Sequence, residues 1–114
     1  MIEAVPGVKM LERTWGSNVY FLDGEKHAMV DAGFPLDRKR IIRAVGQDGP
    51  DLIIATHYHL DHVGSIPALK SLFASAVAAH SADSPVMEGI KPYERYRLGA
   101  LRTLYYRMFA PLYP

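Results

Sequence analysis

Residues 51–64 read Asp51-Leu52-Ile53-Ile54-Ala55-Thr56-His57-Tyr58-His59-Leu60-Asp61-His62-Val63-Gly64, and this stretch decides the fold. Its apolar opening has the length and composition of a strand buried on both faces of a sheet. Three histidines and one aspartate follow within six residues, at the carboxyl end of that strand, where open α/β sheets place their sites. Side chains alternate along extended chain, so His57 and His59 point the same way and their imidazoles can converge on one ion. Where the chain turns toward the next helix, Asp61 and His62 are re-aimed and can address a second ion beside the first. Tyr58 and Leu60 alternate with the histidines and are expected to pack beneath the loop. A single histidine would be read as a surface residue; three histidines and an aspartate at this spacing point to metal.

The motive for such a cluster is water activation. A divalent ion held by neutral imidazoles lowers the pKa of bound water from about 15.7 to about 7, and two ions about 3.5–4 Å apart can grip nucleophile and substrate oxygen together. Asp61 is the residue expected to orient that nucleophile. The chain has no cysteine, so a thiolate site and a disulfide framework are both excluded. His and Asp ligands suit zinc and also iron or manganese.

Upstream of the motif, residues 8–13, 18–22 and 27–31 are short apolar runs separated by turn signals, of which Asp23-Gly24 is the strongest; they read as successive antiparallel strands. Residues 36–45 then alternate Leu36, Ile41, Ile42 and Val45 with charged residues, an amphipathic helix closed by Gly46. Downstream, residues 64–73 form a helix whose apolar face carries Ile66, Leu69, Leu72 and Phe73, with Pro67 in its first turn. Residues 75–79 read as a strand, 81–88 as a brief helix or turn, and 98–109 as a strongly apolar helix. The expected class is α/β: a mixed sheet covered by helices on one face, in a single domain spanning 1–114. The other face would be bare apolar sheet, a patch that calls for a partner.

The run Thr56-His57-Tyr58-His59-Leu60-Asp61-His62-Val63-Gly64 resembles the HxHxDH signature of the metallo-β-lactamase fold superfamily, which includes glyoxalase II and lactonases. Ser17-Asn18-Val19-Tyr20 and Val30-Asp31-Ala32-Gly33 resemble the opening strands of that fold, and Val77-Ala78-Ala79-His80 the strand after its metal-loop helix. The resemblance implies a four-layer αββα architecture of which this chain carries the first half, with 1–90 as sheet, helices and metal loop and 91–114 as a linker helix. It implies that His57 and His59 bind the first of two zinc ions and Asp61 and His62 the second, with Asp31 supporting them from below. It also implies hydrolysis of an ester, thioester or lactone in a small-molecule substrate. The family's later His and bridging Asp are not matched: no histidine follows His80 and the last carboxylate is Glu94. Each ion would receive two protein ligands, one short of a catalytic zinc site, so weak or partial occupancy is expected. A missing C-terminal half or a second copy of the chain would complete the site and cover the bare face; a truncated, non-catalytic half-fold is the competing expectation.

Thirteen basic against twelve acidic residues give a net charge of +1, which does not argue for nucleic acid or an anionic membrane as partner, and neither is expected. No stretch reaches membrane-spanning length and no basic segment precedes an apolar run at the start, so the expected location is cytoplasmic. Lys91, Arg95, Arg97, Arg102 and Arg107 face only Glu94, a distribution read as a solvated helix face. His27 is read as a surface residue. His80 ends a strand on the motif's side of the sheet and is assigned a structural role, with the pocket rim as its functional alternative.

Overall fold

A computed structural model describes residues 1–89 of the 114. Six strands form one sheet in sequence order: β1 (Ile2–Val5), β2 (Val8–Met10), β3 (Tyr20–Leu22), β4 (Ala28–Val30), β5 (Leu52–Ile54) and β6 (Ala76–Ala78). β1 to β4 pair antiparallel, and β4, β5 and β6 pair parallel. The change of direction follows from the connections. Short turns and loops join the first four strands, whereas each parallel step crosses over through helix. The first crossover holds a 3-10 turn (Pro35–Asp37) and helix α1 (Arg38–Val45), and the second holds α2 (Leu60–Val63) and α3 (Ile66–Phe73). A short α4 (Ser84–Met87) follows β6.

Register sorts the two faces. Phe21, Met29, Ile53 and Val77 are paired neighbours along one row, and the first three are buried. They form a core with Ile41 of α1, Ile66 and Leu69 of α3, and Val86 and Met87 of α4, which places the helices on this face. On the other face two rows run across the sheet: Met10, Tyr20, Val30, Ile54 and Ala78, then Val8, Leu22, Ala28, Leu52 and Ala76. Every member is apolar or aromatic, and each is exposed or half-buried. The bare face expected from the sequence is therefore present among the described residues.

One strand is added and three local expectations are corrected. Ile2–Val5 shows no strand pattern in the sequence, yet it is an edge strand; it is exposed throughout, so it lacks the burial signal that marks strands. Leu52–Ile54 is buried on one face only, with Ile54 38% exposed, so its unbroken apolar run marks a sheet with one uncovered side. Leu36 is exposed because it sits in the 3-10 turn ahead of α1, where the 3.6-residue period does not apply. Leu72 is also exposed, leaving Ile66, Leu69 and half-buried Phe73 as the inward stripe of α3. The helix expected over 98–109 and the linker expected over 91–114 lie outside the described residues. No helix among the described residues is long and apolar enough to cross a membrane.

Candidate metal centre

The motif leaves β5 at Ala55 and runs to His59, the residue before α2, whose backbone is extended (φ −60°, ψ 143°). Leu60 and Val63 then turn inward and are buried, which forces Asp61 and His62 to the outer side of this single turn of helix. Tyr58 is buried as expected. The imidazoles come together: the ring centroid of His57 lies 4.5 Å from that of His59 and 3.9 Å from that of His62. His62 Nε2 is 3.5 Å from Asp61 Oδ2.

Asp31 organises the floor of this cluster. It follows β4 with φ 60°, a left-handed conformation that Asp adopts more readily than most residues. Its amide donates to Ile54 O (2.9 Å), and the Ala32 amide donates to His62 O (2.6 Å), so the end of β4 is tied to both β5 and α2. The buried carboxylate accepts from Thr56 N (2.8 Å) and Thr56 Oγ1 (2.7 Å) and stands 2.7 Å from His62 Nδ1. A carboxylate can only accept, so Nδ1 carries a hydrogen, and in the neutral imidazole that a metal requires Nε2 is then the lone-pair nitrogen, 3.5 Å from Asp61 Oδ2. Histidine ligands of metals are held in this way.

Thr56 extends the arrangement to a second histidine. Its hydroxyl hydrogen goes to Asp31, so the 3.0 Å contact with His57 Nδ1 is made with His57 donating. His57 is thereby also held with Nε2 as the acceptor nitrogen. Burial lowers the pKa of His59, the neighbouring His57 lowers it further, and Asp61 partly opposes both. A neutral imidazole is the state a metal requires.

The loop between β2 and β3 closes the outer side. Ser17 Oγ donates to the Asp61 carbonyl, Trp15 N donates to Asp37 Oδ2 (2.8 Å), and Thr14 Oγ1 donates to Ser17 O (2.6 Å). In the sequence Thr56 and Ser17 stand inside recognisable motifs with no task of their own, and Gly16 is only part of a turn. The signal for Thr56 is its place between a buried strand and a ligand run. His80 is exposed, its Nδ1 accepts from Ala82 N (3.0 Å), and Asp83 beyond it is close enough to His59 to oppose its loss of charge. His27 lies between the β3–β4 turn and β4, its ring 5.3 Å from that of Phe21 and its Nε2 3.6 Å from Asp23.

The donors suit zinc-type ions in kind, and His62 with Asp61 has the spacing of two ligands on one ion. Among the described residues, however, no three His, Asp or Glu side chains form a group that could hold one. The chemistry of the donors fits a metal, and the number that converge does not complete a centre.

A model of the metallo-beta-lactamase superfamily matches residues 13–113. The chain belongs to the metallo-beta-lactamase superfamily. Two proteins of Bacillus subtilis are similar: the probable metallo-hydrolase YflN, 33% identical over 107 residues, covering 86% of this chain and 40% of that protein, and the uncharacterized protein YobT, 40% identical over 76 residues, covering 63% and 33%. Among solved structures, a metallo-beta-lactamase from Cronobacter sakazakii, a HARLDQ motif mutant, aligns with TM-score 0.67 at 26% identity, over 79% of this chain and 38% of that one. A subclass B3 metallo-beta-lactamase of Bradyrhizobium japonicum aligns with TM-score 0.60, also at 26% identity, over 63% and 30%. This metallo-beta-lactamase-fold chain thus spans between a third and two fifths of the length of the curated relatives it matches.

Proposed function

We propose that this chain supplies the histidine- and aspartate-bearing half of a dinuclear zinc hydrolase centre acting on an ester, thioester or lactone. The observation that carries the reading is the Asp31–His62 contact of 2.7 Å, which aims His62 Nε2 beside Asp61. His57 and His59 would hold the first ion, and Asp61 and His62 the second. When bound, the ions would supply hydroxide at neutral pH by lowering the pKa of water to about 7. The chain's own residues fix tautomers through Asp31 and Thr56, keep His59 neutral by burial, and exclude water beneath the loop with Tyr58 and Leu60. Asp61, partly exposed next to His62, is placed to accept a proton from the attacking nucleophile or to orient it. Iron or manganese would satisfy the same donors.

The test is elemental analysis of protein purified without chelator, alongside hydrolysis of a panel of simple esters, thioesters and lactones. Metal content that is unchanged when His57 and His59 are both replaced by Ala would refute the assignment.

A second reading is favoured by the two apolar rows on the uncovered sheet face and by the incomplete donor group. In it the chain is a non-catalytic half-fold that packs this face on a second copy or on a complementing polypeptide. Sheet-on-sheet packing would bury those rows about 10 Å from their partners. Light scattering coupled to size exclusion separates the cases: a well-behaved monomer eliminates the dimer, and hydrolysis by the 114-residue chain eliminates the inactive form.

A further inference from the structure

The β2–β3 loop approaches the motif so closely that one of its residues has no room for a side chain. A Cβ built on Gly16 would lie 2.8 Å from Asp61 Oδ2, 3.1 Å from Asp61 Cβ and 3.3 Å from Asp61 Cγ. Gly16 also has φ +81°, a conformation that L side chains rarely adopt. The next residue, Ser17, is buried and donates its hydroxyl to the backbone carbonyl of the same Asp61. Backbone and side chain of Asp61 are therefore met from one direction by adjacent residues.

The loop that delivers them is fastened independently of the motif. Trp15 N is held by the buried Asp37, Arg13 O accepts from the Arg40 guanidinium, and Thr14 Oγ1 closes the turn on Ser17 O. Asp37 and Arg40 belong to the first crossover, so the loop is braced by residues that are not part of the motif. Asp61 Oδ2 is the atom nearest the position of a Gly16 Cβ, so a side chain there would force the carboxylate out of its present rotamer.

We infer that Gly16 and Ser17 are positioning residues that set the direction of the Asp61 carboxylate, Gly16 by leaving free the space beside Asp61 Oδ2 that a side chain would take, and Ser17 by pinning the Asp61 backbone. Asp61 is left aimed toward His62 Nε2, where the two donors stand 3.5 Å apart. The inference rests on the reading of Asp61 as a metal ligand.

Gly7 provides the control. It has the same φ of +81°, but a Cβ there would meet only Asp23 O at 3.8 Å. Gly7→Ala thus carries the backbone strain of Gly16→Ala without the contact. The experiment uses the full 114-residue chain as wild type, G16A, S17A and G7A. The first measurement, on metal-free protein, is the Asp61 side-chain 13Cγ resonance. The second is Co(II) affinity by competition with a chelator, read from the visible absorption of the bound ion.

G16A and S17A are expected to displace the Asp61 resonance and to weaken Co(II) binding about tenfold or more. G7A is expected to lose the thermal stability that the shared backbone strain costs and to change neither readout. If G16A does not fold, S17A decides. An Asp61 resonance that stays at its wild-type position in the folded variants overturns the inference, as does a G7A effect equal to that of G16A. If wild-type protein binds no Co(II), the proposed function falls, and the metal-free carboxylate measurement still decides the positioning role.

Discussion

Replacing Asp31 separates the support of the fold from the support of the metal centre. In Asp31→Ala, three donors lose their acceptor: Thr56 N, Thr56 Oγ1 and His62 Nδ1. An unsatisfied buried donor costs about 1–3 kcal/mol, and water can reach Thr56 and His62 here, so about 1 kcal/mol each is the appropriate figure. Ala also tolerates φ 60° less well than Asp, adding about 1 kcal/mol. The sum is about 4 kcal/mol, a large share of the roughly 5–15 kcal/mol that holds a domain together. Asp31→Asn behaves differently. It keeps the shape, the backbone preference and an oxygen for Thr56 N, so its cost is about 1 kcal/mol. Its amide NH2, however, faces His62 Nδ1 and can only donate, which moves the neutral imidazole's hydrogen to Nε2, the nitrogen proposed to bind the ion. Metal affinity should fall about 10- to 100-fold. Urea unfolding of metal-free protein gives the stabilities, chelator competition gives the affinities, and long-range 1H–15N spectra give the His62 tautomer. An Asp31→Asn variant that keeps the His62 hydrogen on Nδ1 and binds metal like wild type would refute the reasoning.

Thr56→Val keeps the branched shape and breaks the link from His57 to Asp31; we expect a several-fold loss of metal affinity with about 1 kcal/mol of stability, checked by the same titration and urea series. For His59, folding lowers the pKa below its ordinary 6.5, so the unfolded chain takes up the proton first as pH falls. Stability linked to this group is therefore undiminished above about 6.5 and declines as the pH drops toward the folded value; His59→Asn should flatten urea midpoints of metal-free protein across that range. Leu69→Ala empties a fully buried position of α3 and should cost about 2–5 kcal/mol in chemical unfolding. Ile54→Lys, on the uncovered face, should leave the stability from urea unfolding within about 0.5 kcal/mol of wild type while lowering any self-association seen by light scattering.

The sequence alone was enough for the local events. The apolar run 51–55 meant a strand, Gly46 ended a helix, and the spacing of His57, His59, Asp61 and His62 along an extended segment followed by a turn raised the expectation of metal chemistry. These are short-range properties, settled by residues that are neighbours in the chain. Only the tertiary structure decided the rest. Asp31 reaches Thr56 and His62 across 25 and 31 positions because β4 and β5 pair in parallel, and the one-dimensional pattern holds no record of that register. The edge strand Ile2–Val5 escapes a sequence reading because an exposed strand carries no burial pattern, and Ile54 is expected buried because an apolar residue reads the same under a helix as on an uncovered face. The need for glycine at position 16 is a distance to Asp61, 45 positions away, and distances between remote residues exist only once the chain has folded.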